Sequence, residues 1–225
     1  MEQTTKIAVP VLKKIRERGY WRVVIRPGSF ERERIPFPTL YPLLAERVVR
    51  LRDWEFPQLE PYGEYDRGLD WIAHGSERYG LYLEYWRFYQ SGQFVDFEGI
   101  AEDWRDQSML GSAPADWEPG RYLGVLDTLY HYTEIFELAA RLAVTDPFSI
   151  DDRVHSDSWP QTPILVGGSQ AQIEEFPYKG DLPRDELIAD ASRLALRQTE
   201  ELFRRFLWDP TPGLLQRAQD EFLRK

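Results

Sequence analysis

Between Leu81 and Ile100 the chain runs through two stretches, Leu81–Gln90 and Gln93–Ile100, that are rich in aromatic and β-branched residues and flank Ser91-Gly92. Period-two alternation of such residues builds half-buried strands, and a two-residue loop with Gly fits a tight hairpin. That register sets Phe88 against Val95, Trp86 against Phe97, Arg87 against Asp96 and Tyr85 against Glu98. One face of the hairpin is then aromatic and buries well. The other carries Tyr85, Arg87, Tyr89, Asp96 and Glu98, a mixed polar and aromatic surface. A cross-strand Arg87–Asp96 pair is worth about 0.2–1 kcal/mol, so it fixes register more than it holds the fold.

The segments around the hairpin read in the same terms. Residues 5 to 18 form a short basic helix closed by Gly19, where Gly caps and basic side chains complement the dipole. In Tyr20 to Arg26, Trp21, Val23 and Ile25 point one way and Arg22, Val24 and Arg26 the other, a strand ended by Pro27-Gly28. Residues 39 to 47 fit a helix, Val48 to Trp54 a strand with Arg50 and Arg52 on one face, and Leu69 to His74 a further strand. Residues 103 to 120 read as a long loop, and Tyr122 to Val144 as an amphipathic helix stopped by Asp146-Pro147. Phe148–His155 and Ile164–Val166 follow as strands. A helix then starts at Pro183 and runs to about Trp208, and a last one spans Leu214–Leu223. Strands come mainly early and helices late. The order predicts an α+β fold, a mainly antiparallel twisted sheet from the first half packed against long helices of the second half, in one compact domain over residues 1–225.

Composition narrows the function classes. The absence of Cys excludes a thiol nucleophile, a Cys-ligated zinc and an iron–sulfur cluster. No apolar run approaches the roughly 18 residues that span a bilayer. Met1 to Arg18 has charges where a signal peptide needs an apolar stretch. These features predict a soluble, cytoplasmic protein with no membrane partner. The net charge of -10 conceals an asymmetry: residues 1–52 hold twelve basic and five acidic side chains, the remainder sixteen and thirty-three. Overall acidity opposes a general nucleic-acid coat. Of the 28 basic residues all but five are Arg, whose planar fork suits bidentate contacts to carboxylate or phosphate.

Catalytic patterns are scarce. His74, His131 and His155 are far apart in sequence. His131 and Glu134 share a helix face, but the helix lacks the i, i+4 His pair of metalloproteases, so no metal and no cofactor is expected. No G-x-S-x-G elbow occurs, and Gly167-Gly168-Ser169 lacks the lysine of a phosphate loop. What remains is an arginine constellation. Arg22 and Arg26 share one strand face, Arg50 and Arg52 another, and these four guanidinium groups converge if both strands lie in one sheet with the faces aligned. Together with Tyr85 and Arg87 they are the candidate binding residues. The expectation is a non-catalytic interaction module that binds a macromolecular partner, most simply a protein, through an Arg-rich face; a homodimer fits the aromatic content. The alternatives are a nucleic-acid-binding or sensing protein with Tyr20 or Trp21 stacking on bases, and a cryptic metal-dependent hydrolase built on His131 or His155.

Four stretches carry a family resemblance: Gly19-Tyr20-Trp21-Arg22-Val23-Val24-Ile25-Arg26-Pro27, Arg34-Ile35-Pro36, Val49-Arg50-Leu51-Arg52-Asp53-Trp54-Glu55-Phe56-Pro57, and Glu84-Tyr85-Trp86-Arg87-Phe88-Tyr89-Gln90-Ser91-Gly92-Gln93-Phe94. They resemble a group of uncharacterised bacterial proteins in which such a region sometimes accompanies a Schlafen AlbA-type DNA-binding domain. The resemblance covers about residues 19–100, and the sequence shows no separate AlbA-type segment, so the resemblance carries over no activity. It supplies no catalytic residues.

Overall fold

The computed structural model describes residues 8–51, 54–59, 65–105, 123–142, 148–155, 164–166, 169–171, 175–206, 208–211 and 213–224. For residues 8, 9, 148–155, 164–166, 169–171 and 175–177 the backbone alone is described.

The elements in chain order are α1 (Ala8–Ile15), β1 (Tyr20–Pro27), α2 (Leu40–Arg47), β2 (Val49–Arg50), β3 (Glu55–Phe56), β4 (Asp66–Arg67), β5 (Trp71–Arg78), β6 (Tyr82–Tyr89), β7 (Phe94–Gly99), α3 (Ala101–Trp104), α4 (Val125–Leu142), β8 (Phe148–His155), β9 (Ile164–Val166), β10 (Ser169–Ala171), β11 (Glu175–Leu182), α5 (Arg184–Arg205) and α6 (Leu214–Leu223). Seven strands make one sheet in the order β11-β8-β1-β7-β6-β5-β4, every neighbouring pair antiparallel. The first half contributes the five strands from β1 to β4, and the long helices α4 and α5 come from the second half. The expected α+β class and its layering are therefore observed. Strand β11 lies in Glu175–Leu182, a segment without a strand in the sequence reading, because Pro177 and Gly180 interrupt its pattern.

Alternation on β1 decides which side of the sheet buries what. Trp21, Val23 and Ile25 join the main core with Trp86, Phe88 and Phe94 of the hairpin, Tyr132, Ile135 and Phe136 of α4, and Leu187, Leu194 and Phe203 of α5. The opposite face forms a smaller core under α1, where Ile15 meets Ala73, Leu83, Tyr85 and Phe97. The sheet is thus covered on both sides.

The hairpin differs from the expected register by one residue. Phe88 pairs with Phe94, Arg87 with Val95, Trp86 with Asp96, Tyr85 with Phe97 and Glu84 with Glu98. The cause is a longer loop: the Tyr89 N–H donates to the Gln93 carbonyl at 2.9 Å and the Gly92 N–H to the Tyr89 carbonyl at 2.9 Å. Gly92 sits at φ +84°, a left-handed conformation that glycine adopts without a Cβ clash. Because side chains alternate, a one-residue slip reassigns every facing pair. Asp96 and Glu98 consequently stand on the α4 side with Glu84, Trp86 and Phe88, away from Tyr85, Arg87 and Tyr89.

Among the described residues of Val48–Trp54, Val49 and Arg50 pair, with Phe56 and Glu55 respectively, in a separate two-stranded sheet. Arg52 lies outside the described residues.

Candidate functional site

The expected arginine face is dispersed. Arg22 and Arg26 do share a face of β1, the first half-buried and the second exposed, and neither makes a hydrogen bond or ion pair with the described side chains. Arg50 is on a different sheet and is paired at the surface with Glu55, its Nη2 2.6 Å from Oε1. Arg87 is engaged within the fold. Its Nη2 donates to the Tyr85 hydroxyl at 2.6 Å, its Nη1 to the Tyr89 hydroxyl at 3.4 Å, and its guanidinium lies 4.1 Å from the Trp71 ring centroid. The basic residues of the first helix region are engaged as well. Lys14 meets Glu77 at 2.5 Å, Arg16 lies over Phe97, and Arg18 lies 4.4 Å over Trp104 while donating to the Asp103 carbonyl. Arg26 borders a shallow cavity of about 390 Å³ that includes Ser29, Phe30, Ser91, Gln93 and Asp181.

A different constellation occupies the other side of the sheet. Glu84 and Glu98 are direct cross-strand partners on β6 and β7, an arrangement in which like charges repel. From α4, His131 brings Nδ1 to 2.9 Å from Glu98 Oε2 and carries the proton of that contact whenever Glu98 is ionised. The His131 ring is held 4.2 Å from the Trp21 ring. Both Glu84 oxygens accept from the Gln58 N–H, at 3.0 and 3.2 Å. The segment after β3 is tied down in turn by the Trp86 indole N–H, which donates to the Gln58 carbonyl at 2.7 Å.

The electrostatics follow from this packing. Burial, reinforced by the facing Glu98 carboxylate and by Glu134 of α4, pushes Glu84 up to about 8; the Gln58 N–H and Arg78 act in the opposite direction. Glu84 is therefore mostly protonated at neutral pH beside a second carboxyl in a different environment. A second acid pair lies close by. Burial, and then the Asp127 carboxylate, push Glu102 up to about 8. A Cβ on Gly124 would fall 1.9 Å from Glu102 Oε1, so any side chain there would displace that carboxyl.

Glu84 and Glu98 line a cleft. It is a cavity of about 190 Å³ with Trp54, Phe56, Tyr79 and Tyr82 as aromatic walls, Glu84 and Glu98 on its floor, and Arg78 as the lining cation among the described residues. Trp54 and Tyr82 pack ring to ring at 5.0 Å. Tyr79 is 86% exposed and holds φ +54°, a region that bulky residues adopt only under strain. Tyr82 and Glu98 also border a second, separate cavity of about 20 Å³, the size of one water molecule. Of the residues around this second cavity, Thr128 Oγ1 and Glu102 Oε1 have no hydrogen-bond partner among the described residues, while the Glu102 carboxyl also interacts with Asp127.

Among the described residues no group of three or more His, Asp or Glu side chains is placed to hold a metal ion, and no helix is long and apolar enough to cross a membrane. The sequence singles out His131 as a candidate and places Glu98 on the polar face of the hairpin opposite Tyr85, but marks neither Glu98 nor Glu84 as a site residue. The available signal was phase: Glu84 alternates in step with Trp86 and Phe88, and Glu98 in step with Phe94, so acids stand where the strand pattern places core. No family model, no curated protein and no solved structure matches this chain.

Proposed function

We propose that the protein is a non-catalytic recognition module whose ligand seats in the cleft between the β5–β6–β7 strands and the β3 segment. The observation that carries this reading is the combination of a concave cavity, aromatic walls and a floor of facing carboxyls. Ligand sites are concave, largely aromatic and apolar, and carry a few convergent polar groups. The cleft is smaller than the roughly 300–1,000 Å³ of drug-sized pockets, so it suits one side chain or one small-molecule headgroup. An arginine-centred interface has less support, because Arg50 and Arg87 already have partners within the fold. Direct nucleic-acid binding through the N-terminal basic residues has less support for the same reason.

The test is a thermal-shift screen of a chemically mixed metabolite library against the wild type, Trp54→Ala and Arg26→Glu. Compounds that raise the wild-type melting temperature should lose their effect on Trp54→Ala and keep it on Arg26→Glu. The reverse pattern would move recognition to the arginine face and overturn the proposal.

One observation favours a second reading, acid–base catalysis. Two facing carboxyls, one pushed upward by burial and the other hydrogen-bonded to a histidine, are a starting arrangement for general acid and general base. In that reading Glu84 donates the proton and Glu98, oriented by His131, accepts one, with no metal involved. Turnover of 4-nitrophenyl esters or glycosides that disappears in Glu98→Gln would support it over simple recognition.

A further inference from the structure

The cleft reading leaves the ligand's chemistry open, and the hydrogen-bonding pattern of its floor narrows it. We propose that the cleft takes a flat, uncharged heterocycle whose edge carries a hydrogen-bond donor beside an acceptor, lying against the rings of Trp54, Tyr79 and Tyr82 with that edge on the Glu84 carboxyl. This inference rests on the cleft being the recognition site.

The walls select for shape. Trp54 and Tyr82 pack ring to ring at 5.0 Å, and the exposed Tyr79 ring stands at the rim of the same cavity. Stacking a heterocyclic base on an aromatic side chain is worth about 1–3 kcal/mol, and it requires a flat partner. The strained backbone at Tyr79 fits this picture, since it holds a large ring at the rim where the fold itself gains no burial from it.

The floor selects for polarity. Glu84 is faced by Glu98 from β7, by Glu134 from α4, by Arg78 at the end of β5 and by the Gln58 N–H from the β3 segment. Glu98 is itself hydrogen-bonded to His131 of α4. Burial, the largest influence on Glu84, keeps its carboxyl mostly protonated at neutral pH. A protonated carboxyl carries an O–H donor beside a carbonyl acceptor, and a buried acid kept neutral donates a hydrogen bond that a carboxylate cannot. The Gln58 N–H is shared between the two Glu84 oxygens, which uses one direction on each and leaves a second. A lactam or aminopyridine edge meets the remaining donor and acceptor together, through two parallel hydrogen bonds. An ammonium ion brings donors alone and leaves the O–H without an acceptor. A carboxylate or phosphate brings acceptors alone.

Ionisation of Glu84 removes the donor. Affinity is therefore full below a pH of about 8 and falls as pH rises through that value. The heterocycle has two sources, a free base or nucleoside, or a base within a polynucleotide strand.

The experiment is isothermal titration of the full chain with 2-pyridone, N-methyl-2-pyridone (which lacks the N–H), cytidine, a cytidine trinucleotide and n-butylammonium, at pH 6.5 and pH 9. At pH 6.5, 2-pyridone or cytidine should bind at least tenfold more tightly than N-methyl-2-pyridone and n-butylammonium, and about tenfold more tightly than at pH 9. Glu84→Gln, whose amide also sets a donor beside an acceptor, should keep the binding seen at pH 6.5 and lose the pH dependence. Tyr79→Asn, a surface change that leaves the core intact, should weaken binding severalfold at both pH values. A trinucleotide preferred over cytidine identifies a strand as the source; parity or the reverse identifies a free base or nucleoside. N-methyl-2-pyridone or n-butylammonium binding as tightly as the best heterocycle overturns the inference. So does an affinity that does not fall between pH 6.5 and pH 9, or no heterocycle binding at millimolar concentration to a folded protein. The cleft reading would survive any of these results if library compounds still lost their effect on Trp54→Ala.

Discussion

The two faces of the sheet treat charge in opposite ways. On the α1 face, Arg22 and Arg26 of β1 apart, the cations around α1 and the hairpin are matched: Arg87 lies over Trp71 and donates to two tyrosine hydroxyls, Arg18 lies over Trp104, and Lys14 meets both Trp104 and Glu77. On the α4 face carboxyls meet carboxyls: Glu84 faces Glu98 with Glu134 close by, and Glu102 faces Asp127. The first arrangement is self-sufficient and stabilises the fold. The second brings carboxyls together in a partly buried site, where burial and neighbouring carboxylates push Glu84 and Glu102 upward. The chain is richest in arginine at its N-terminal end, yet the cleft on the α4 face gathers carboxyls.

The largest test of this contrast is the pH dependence of stability. A carboxyl raised from 4.5 to about 8 by folding holds a proton in the folded state that the unfolded chain has released between those values. Stability should therefore fall as pH rises through that window and level off on either side, at up to roughly 1.4 kcal/mol per pH unit for each group. Urea unfolding at pH 5, 6.5 and 8 should show this decline, and a shallower one in Glu84→Gln, which keeps an acceptor for the Gln58 N–H. A profile equally steep in the variant would mean that Glu84 is ionised throughout.

Arg87→Ala probes the matched face. It removes the stack on Trp71 and two hydrogen bonds, so a loss of about 1–2 kcal/mol is expected, with the slope of stability against pH unchanged. A changed slope would show that the two faces are coupled through the strands between them. The smallest effect is expected at the cleft rim. Tyr79→Asn places a residue that tolerates left-handed backbone at φ +54°, and should raise stability by roughly 0.5–1 kcal/mol while weakening ligand binding. A destabilised variant would mean that the exposed ring packs on the fold after all.

The reading of the hairpin shows how far sequence carries. Both strands of Leu81–Ile100 were legible from alternation, and so was the burial of Trp86 and Phe88. The loop was not, because Ser91-Gly92 looks like a two-residue turn when Gly92 instead closes a longer one. That single residue decides whether Glu98 faces Tyr85 or Glu84, and with it whether the acid pair exists. His131 was visible as a titratable residue on an amphipathic helix, but its partner is 33 positions away. Arg22 and Arg26 were correctly placed on one face of β1, whereas their alignment with Arg50 required a strand pairing that β2 does not make.

By itself, the order of residues determined the periodic elements: β1, the aromatic hairpin, α4, α5 and α6, and the α+β class they compose. Local sterics and the burial of every second or every third-to-fourth side chain act within a few residues, so they can be read along the chain. Tertiary structure alone decided which charges meet. Electrostatic energies depend on distance and on exclusion of water, both of which arise only when α4 is laid across β6 and β7. For that reason the cations that dominate the N-terminal sequence ended matched or scattered, and the carboxyls that looked ordinary in an acidic chain came together in the cleft.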